Sequence, residues 1–165
     1  MEKAIAREML AFQPDEKLVL FAGAFDNRVK NPTLAKAACQ QLENVRLLEL
    51  KGYKRTEVAI LMNAVDACLM TSFTEGSPQF IKEAMACNCP IVSVNVGDVQ
   101  AVVAETTNCA ICNYDITEIS TSLNQVLKAN IRSNGQDQIV RLKLDASSIA
   151  KQIIETYQNI LAKRK

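Results

Sequence analysis

The stretch TSFTEGSPQFIKEAMACNCPIVSV, residues 71–94, decides the fold. It begins just after an apolar strand predicted at Ala67–Met70 and passes through a Gly-Ser-Pro turn. A helix predicted from Pro78 to about Cys87 follows, and it leads into a second apolar strand, Pro90–Val94. A strand, a helix and another strand joined by short links form the unit from which parallel sheets are built.

The same alternation extends to both sides of this stretch. Strands are predicted at Leu18–Ala24, Val45–Leu50 and Ala110–Cys112, and longer helices at Pro32–Glu43, Thr56–Ala64 and Ile116–Lys128. The first of these strands, Leu18–Ala24, is apolar along its whole length, as strands covered on both faces are. We therefore predict an α/β fold, a Rossmann-like parallel sheet with helices on both faces, in which residues 1–165 form a single domain.

Short helices are predicted over the first ten residues, directly after Gly97-Asp98, and after a turn at 133–136. The chain closes with a longer helix that Asp145 is predicted to cap. Its apolar positions are Ile149, Ile153, Ile154, Tyr157, Ile160 and Leu161. Lys163, Arg164 and Lys165 follow at its end, where positive charge interacts favourably with the helix dipole.

Composition narrows the classes of function. Of the 165 residues 48% are apolar and 22% are charged, and the formal net charge is +1, so charge gives no argument for nucleic acid or an anionic membrane. No apolar run approaches the roughly 18 residues of a membrane span. Residues 1–10 lack the apolar core of a signal peptide. We expect a cytoplasmic protein that binds no nucleic acid and has no transmembrane segment.

The chain has six cysteines and no histidine. Most of the cysteines lie in apolar segments, where the thiol behaves as a small hydrophobic group. Cys109 and Cys112 form an isolated CxxC pair, whereas a zinc site needs about four ligands. We interpret this pair as part of a strand and expect no metal site.

Three polar loops follow predicted strands, at residues 23–31, 72–78 and 95–98. In open parallel sheets ligands bind at the carboxyl ends of the strands, so we expect these loops to share one edge. The first loop carries Arg28 and Lys30, but no GxGxxG or GxxxxGKS pattern. Basic side chains in such a loop are usually solvated, yet facing a helix N-terminus they are suited to neutralise a diphosphate.

The second loop has the features of a binding site. Ser77 is predicted as the helix N-cap and Pro78 as the first helical residue. Gly76 permits close approach of a ligand and backbone angles closed to other residues. Glu75 accepts hydrogen bonds only, which suits a ligand with hydroxyl donors, and Glu83 lies at the margin between core and solvent. Either glutamate alone is usually a dipole partner or a solvated side chain, but the pair with this turn favours a site.

Glu75 and Glu83, with seven residues between them, form the E-x7-E pattern of retaining GT-B-fold glycosyltransferases. The stretch SFTEGSPQFIKEAMACNCPIVSVNVGD resembles family 4 (group 1), whose usual form is S-x-x-E-G-x6-E-A-M-A-x3-P-V-V. Phe21-Ala-Gly23 with Lys30-Asn31 resembles the family's strand and phosphate-binding lysine. The segment from Met62 to Ser72 is similar to its helix-to-strand link. The resemblance extends over residues 5–128.

The resemblance implies the C-terminal half of a fold with two Rossmann-like halves. In this family that half holds the nucleotide-sugar donor, and the N-terminal half holds the acceptor. We therefore expect a piece of a longer hexosyltransferase whose partner is the acceptor domain of the same parent chain, and which is inactive by itself. A peripheral membrane contact of the parent is compatible with this expectation.

The family's roles can be transferred residue by residue. Glu75 would accept hydrogen bonds from hydroxyls of the donor sugar, and Glu83 would bind the ribose hydroxyls. Lys30 would neutralise the diphosphate as it leaves, and with Glu75 it forms the expected catalytic pair. The remaining donor-binding residues are Gly23, Arg28, Gly76, Ser77 and Pro78. The resemblance implies no metal and no cofactor beyond the sugar donor.

Other functions stay open. A non-catalytic nucleotide-binding or assembly module is one, because Ala24 stands where the family usually has Arg, and Arg28 is the candidate substitute. Half of a sugar-nucleotide epimerase is another, although it lacks the E-x7-E resemblance. A glycosidase needs two facing carboxyl groups across a sugar, whereas Glu75 and Glu83 lie along one helix.

Overall fold

A computed structural model describes residues 1–163; Arg164 and Lys165, predicted at the basic end of the last helix, lie outside them. One sheet organises the chain. Its strands are β1 (Lys17–Phe21), β2 (Val45–Glu49), β3 (Ala67–Met70), β4 (Ile91–Val94) and β5 (Ala110–Cys112). They lie in the order β2-β1-β3-β4-β5, and every neighbouring pair is parallel. The predicted α/β fold with a parallel sheet is confirmed.

Eight α-helices are described within residues 1–163. They are α1 (Lys3–Met9), α2 (Pro32–Gln40), α3 (Arg55–Ala64), α4 (Gln79–Ala86), α5 (Val99–Val103), α6 (Ile116–Ala129), α7 (Gly135–Arg141) and α8 (Ala146–Ala162). The predicted elements are all present, with ends that differ by a few residues. The prediction that Asp145 caps the last helix is also confirmed, because its carboxylate accepts a hydrogen bond from the Ser148 amide.

Both faces of the central strands are buried, which explains why β3 and the last four residues of β1 are apolar. Alternate residues of a strand point to opposite faces. Leu18 and Leu20 of β1 therefore pack into one core layer with residues of α3 and α4, whereas Val19 and Phe21 pack into the other with residues of α2 and α6. All four residues have no exposed surface. Helices on both faces, as predicted, leave the edges of the sheet for loops.

The strand order places a switch point between β1 and β3. The chain leaves β1 towards β2 on one side, and it leaves β3 towards β4 on the other side. The loops that follow β1 and β3 therefore diverge at the carboxyl end of the sheet. Such a divergence is where open α/β sheets bind ligands.

The opposite edge of the sheet is held by a buried cation. Arg7 of α1 is only 4% exposed, and its guanidinium Nε donates to the Ala64 carbonyl at 2.9 Å. Its Nη2 donates to the Asp66 carboxylate at 2.9 Å, and Asp66 also accepts from the Leu18 amide at 2.7 Å. This network joins α1, β1 and the segment before β3, so it fixes the amino ends of the central strands.

Helix α7 packs closely against α4. A Cβ placed on Gly135 would lie 2.6 Å from both the Cα and the carbonyl oxygen of Met85, so only glycine permits this contact. Arg132, just before α7, donates to the carbonyls of Met62, Val65 and Cys87, each at 2.9 Å. These bonds tie the ends of α3 and α4 to the segment that leads into α7.

Helix α8 differs from the other long helices, because it buries none of its residues. Its large apolar side chains are between 38% and 65% exposed: Ile149, Ile153, Ile154, Tyr157, Ile160 and Leu161. The amphipathic pattern predicted from the sequence is therefore present, but in the described part of the chain the apolar face of α8 remains largely exposed. None of the helices in this part of the chain has the length and apolar character needed to cross a membrane.

Candidate functional site

Lys30 and Glu75 meet at the switch point of the sheet. Lys30 lies in the loop after β1 and Glu75 in the loop after β3, and the Lys30 Nζ is 2.6 Å from the Glu75 Oε1. Their side chains are 26% and 14% exposed, so the ion pair is partly withdrawn from water. Hydrogen bonds between charged partners are shorter and stronger than neutral ones. The two residues predicted as the catalytic pair are thus in direct contact.

Hydrogen bonds between the two loops position this pair. The Thr71 hydroxyl donates to the carbonyls of Lys30 and Asn31, at 3.0 and 2.9 Å. The Phe73 amide donates to the Val29 carbonyl at 2.9 Å. Asn31 has a left-handed backbone, with φ of 54°, and its side chain caps α2. Hydrogen bonds to the carbonyls of Val29, Lys30 and Asn31 therefore fix the backbone on both sides of the lysine.

Gly23 makes room for the lysine side chain. A Cβ at position 23 would lie 2.8 Å from the Lys30 Cγ, closer than two carbon atoms can approach without a shift. The aliphatic stem of Lys30 thus crosses directly over Gly23 on its way to Glu75. The contribution of Gly23 to the predicted site is steric, since it provides the path for the cation.

The start of α4 differs from the prediction. The helix begins at Gln79, and Pro78 precedes it in an extended conformation, with ψ of 120°. Ser77 is not the N-cap, because its hydroxyl donates to the Asp98 carboxylate and no side chain caps α4. The prediction of Ser77 as cap and Pro78 as first helical residue is therefore wrong. The Ser77 hydroxyl does not cap the helix because it is hydrogen-bonded to Asp98, which lies 21 residues further along the chain.

The unusual backbone angle predicted for Gly76 occurs instead at Gly97. Gly97 has φ of 59°, whereas Gly76 does not use a positive φ. A Cβ on Gly97 would lie 2.3 Å from the Gly76 carbonyl oxygen, and that oxygen accepts a hydrogen bond from the Asp98 amide at 3.1 Å. No atom lies within 4 Å of a Cβ built on Gly76. The space that the close-approach prediction requires is therefore open.

Glu83 lies in the second turn of α4 and is half-buried, as predicted for the margin of the core. Its neighbours Ala84 and Met85 have no exposed surface. Within residues 1–163 the Glu83 carboxylate forms no ion pair or side-chain hydrogen bond, unlike that of Glu75. A half-buried carboxylate with free oxygens has the capacity to accept hydrogen bonds from a ligand.

Arg28 does not join Lys30 in the structure. It lies in the same short 3₁₀ turn, Arg28–Lys30, and is exposed. In the described part of the chain its guanidinium forms no ion pair or side-chain hydrogen bond. The loop therefore brings one cation, Lys30, into contact with the Glu75 segment, and Arg28 is left towards solvent.

Two further residues of the site were missed by the sequence analysis. The Lys82 Nζ donates to the Ser77 hydroxyl and lies 3.9 Å from the Asp98 Oδ2. The Lys82 side chain is 18% exposed, which is low for a lysine on a helix surface. A lysine in the first turns of a helix is usually expected to be solvated. The sequence around Lys82 therefore gives no local signal for this contact.

Tyr114, after β5, also reaches the loop after β3. Its hydroxyl donates to the Ser72 carbonyl at 2.7 Å, and its ring stacks on Phe73 with centroids 6.0 Å apart. Burial raises the pKa of the Tyr114 hydroxyl, which therefore stays protonated as a donor. Tyr114 and Thr71 thus fasten the loop that presents Glu75 from both sides.

The cysteines are structural groups in this fold. Ala110–Cys112 is strand β5, as predicted for the CxxC segment. Burial raises the pKa of the Cys39 and Cys109 thiols to about 12. Among residues 1–163 no group of three or more Cys, Asp and Glu side chains is arranged to hold a metal ion.

A concavity of about 730 Å³ lies at the amino edge of the strands, between α1 and the end of α6. It is lined by Lys3, Arg7, Phe12, Pro14 and Asn130, among others. Its cations Lys3 and Arg7 are already paired with Asp66. None of the predicted site residues lines it, so it is separate from the Lys30–Glu75 pair.

Comparison with known proteins identifies the family. A family model described as "Glycosyl transferases group 1" matches residues 4–129. D-inositol 3-phosphate glycosyltransferase of Mycobacterium marinum is 23% identical over 161 residues, which cover 79% of this chain and 34% of that protein. The enzyme of the same name from Mycobacterium ulcerans is 22% identical, with 79% and 35% covered. The chain thus spans about a third of the length of these relatives.

Solved structures share the fold. Sucrose-phosphate synthase from Thermosynechococcus elongatus superposes with a TM-score of 0.87 at 22% identity, over 98% of this chain and 50% of that one. The Anabaena protein HepE, solved in complex with UDP-glucose, superposes with a TM-score of 0.74 at 17% identity, over 94% and 52% of the two chains. Each superposition pairs this chain with about half of a glycosyltransferase-type fold. From the family match over residues 4–129 and this architecture, the chain belongs to the group 1 glycosyltransferases and has the fold of one Rossmann-like half of a GT-B protein.

Proposed function

We propose that this chain is the donor-binding domain of a retaining glycosyltransferase, which moves a sugar from a nucleoside diphosphate to an acceptor. The observation that carries the proposal is the contact of Lys30 with Glu75 at the switch point of the sheet, 2.6 Å between Nζ and Oε1. Family membership supports a transferase over a glycosidase or an epimerase. It also supports the transfer of the family's residue roles to this rim.

Lys30 is proposed to contact the diphosphate of the donor. In the structure its charge is neutralised by Glu75, so the ion pair holds the cation in place. A diphosphate brings more negative charge than a carboxylate and would compete for the same ammonium group. When the sugar leaves, negative charge develops on the diphosphate, and a preorganised cation stabilises that charge most in the transition state.

Glu75 is proposed to bind the sugar, and the amides beside it are proposed to contact both the sugar and the diphosphate. Once Lys30 turns to the diphosphate, the Glu75 oxygens become acceptors for sugar hydroxyls. The amides of Gly76 and Ser77 precede α4, where unpaired backbone N–H groups favour anionic and hydroxyl oxygens. Pro78 has no N–H, so its part in donor binding is to set the direction of the chain into the helix.

Glu83 is proposed to accept hydrogen bonds from both hydroxyls of the donor ribose. Its half-buried carboxylate has no partner within residues 1–163, which supports this role. Hydrogen bonds to charged groups contribute about 1.5–3 kcal/mol each. Two such bonds account for a large part of the affinity of a nucleotide, so Glu83 is expected to decide whether a nucleotide binds.

A UDP-hexose is the first donor to test, because HepE was solved with UDP-glucose and also with UDP and glucose. No metal is required in this proposal, since Lys30 and backbone amides supply the positive charge. The acceptor half is proposed to come from another part of the parent protein, because the chain spans about half of the similar solved structures. The domain alone is then expected to bind donor without turnover.

A non-catalytic nucleotide-binding module is the second candidate. Ala24 and the exposed Arg28 favour it, because Lys30 is then the one cation of the first loop in contact with Glu75. The two candidates differ in the parent protein. A Rossmann-like half encoded upstream and sugar transfer with retained anomeric configuration, followed by NMR of the product, would support the enzyme. A parent that binds donor and never transfers would support the module.

Isothermal titration of the 165-residue chain with UDP, UDP-glucose and GDP tests donor binding directly. We expect one of these ligands to bind, and Lys30→Ala and Glu75→Ala each to weaken it at least tenfold. Lys51→Ala is the matched control for Lys30→Ala, because Lys51 forms an exposed ion pair with Asp26 at the sheet edge. Equal affinity of Lys30→Ala and wild type for every ligand that binds would contradict the diphosphate role.

A further inference from the structure

A side-chain network joins the loop before α4, α4 itself and the turn before α5. The Ser77 hydroxyl donates to the Asp98 carboxylate, and the Lys82 Nζ donates to the same hydroxyl. Lys82 also lies 3.9 Å from the Asp98 Oδ2. Ser77 is exposed, whereas the Lys82 side chain is only 18% exposed, so the lysine extends along the protein towards these oxygens.

We propose that Lys82 is a positioning residue for donor binding, which acts through Ser77 and Asp98 on the loop of Glu75 and Gly76. This inference rests on the proposed donor-binding function. Lys82 is not expected to touch the donor. Its role is to keep the Gly97-Asp98 turn pressed against Gly76, so that the amides next to Glu75 stay oriented for the diphosphate.

Backbone geometry explains how the network reaches Gly76. The Asp98 amide donates to the Gly76 carbonyl at 3.1 Å, and Gly97 lies against the same carbonyl with no room for a Cβ. The Asp98 side chain is bound one residue further along, to Ser77. The turn therefore holds the peptide of Gly76 and the side chain of Ser77 at once, and Lys82 holds the side chains that close this second contact.

Electrostatics gives the lysine a second effect on the loop. Asp98 carries a negative charge close to the amides that are proposed to meet an anionic diphosphate. Like charges repel, and the solvent at a protein surface screens this repulsion only in part. Lys82 neutralises Asp98 and so removes this repulsion. Without Lys82 the same carboxylate would oppose the ligand and would lose the charge that holds it in place.

Variants of the network separate these effects. Isothermal titration with UDP-glucose is expected to show that Lys82→Met binds about tenfold more weakly than wild type, the loss that corresponds to one charge-assisted hydrogen bond. Lys82→Arg keeps the charge and the donors, so it should stay within about threefold of wild type. Asp98→Asn in the Lys82→Met background should recover part of the affinity, because the unpaired carboxylate is gone. Lys151→Met, on the exposed face of α8, is the matched control.

Hydrogen exchange tests the positioning without any ligand. The Asp98 amide should exchange faster in Lys82→Met than in wild type, while amides in β3 keep their protection. Unchanged exchange of the Asp98 amide would overturn the proposal. Weaker binding in Lys82→Met that Asp98→Asn does not relieve would also overturn it, and would point to direct contact of Lys82 with the donor. If the wild type binds neither UDP-glucose, UDP nor GDP, the proposed function fails, and the exchange experiment still decides whether Lys82 orders the loop.

Discussion

Gly97 packs against Gly76 so closely that a methyl group at position 97 would lie 2.3 Å from the Gly76 carbonyl oxygen. Gly97→Ala is therefore expected to lower the free energy of unfolding by about 3 kcal/mol, the sum of backbone strain at positive φ and a steric clash. Thermal unfolding measures the loss. Gly52→Ala is the matched control, since Gly52 also has a positive φ but faces open space, and only about 1 kcal/mol of strain is expected.

Gly76→Ala should behave in the opposite way. A Cβ at this position meets no atom within 4 Å and the backbone φ is not positive, so the melting temperature should stay within about 2 °C of wild type. Affinity for UDP-glucose should nevertheless fall at least tenfold, because the added methyl group would occupy the space left for the donor. Unchanged affinity would mean that the donor does not approach this backbone.

Glu83→Ala is expected to abolish nucleotide binding while the fold remains. The glutamate has no side-chain partner among residues 1–163, so its removal leaves no protein group unpaired. Isothermal titration with UDP and GDP measures the effect. Glu155→Ala, another mid-helix glutamate but exposed on α8, should bind like wild type. Wild-type affinity in Glu83→Ala for the ligand that binds would refute the ribose role.

Thiol labelling tests the burial of the cysteines. Burial raises the pKa of the Cys39 and Cys109 thiols to about 12, so at pH 8 only about one molecule in ten thousand carries the reactive thiolate at either position. Burial also raises the pKa of the Cys87 thiol, but this residue is only half-buried, so it should react first with iodoacetamide in the native chain. Its labelling rate should rise about tenfold per pH unit up to pH 9, because the thiolate fraction does.

Mass spectrometry after brief labelling identifies the modified positions. All six cysteines should react once the chain is unfolded in guanidinium chloride. Rapid native labelling of Cys39 or Cys109 would contradict the packing of the layers that contain them.

Removal of α8 should leave the domain intact. A chain that ends at Leu144 loses only a helix with no buried residue, so its melting temperature should change by less than about 2 °C. Deletion from Asn130 onward is the contrasting variant, because it also removes Arg132 and leaves the carbonyls of Met62, Val65 and Cys87 without their donor. The deletion also removes the buried Ile139 of α7 from the core layer that contains Met85, so this shorter chain should unfold at a much lower temperature.

Most of the fold could be predicted because its signals are local. Strands such as Ala67–Met70 are short apolar runs, and helices such as α6 have apolar residues at helical spacing. The common edge of the loops after β1 and β3 follows from a parallel sheet, and the structure places Lys30 and Glu75 of these loops in contact there. The shared edge depends on the direction of the strands alone, whereas the contact itself depends on the conformation of the two loops.

The details of the candidate site depend on contacts between distant loops, which the sequence does not display locally. Ser77 is of a residue type that favours the N-cap and lies close to the start of α4. Its hydroxyl nevertheless donates a hydrogen bond to Asp98. Both Gly76 and Gly97 are able to adopt a positive φ, and only the packing of the two turns decides that Gly97 does so. From the sequence alone, Lys82 is expected to be a solvated helix residue. Its contact with Asp98 appears only in the structure, which places the turn before α5 beside it.

Gly135 packs against Met85 without room for a side chain. We therefore expect the residues that follow α6 to help set the orientation of α4, and with it that of Glu83. Glu83 precedes Met85 by two positions, so a side chain at position 135 is expected to push α4 aside and to turn the Glu83 carboxylate away from the ribose that it is proposed to bind. Gly135 lies beyond residues 4–129, the part of the chain that the family model matches. We therefore expect a change in the length of the segment between α6 and α7 to shift α4 and to alter the proposed nucleotide binding, although residues 4–129 stay unchanged.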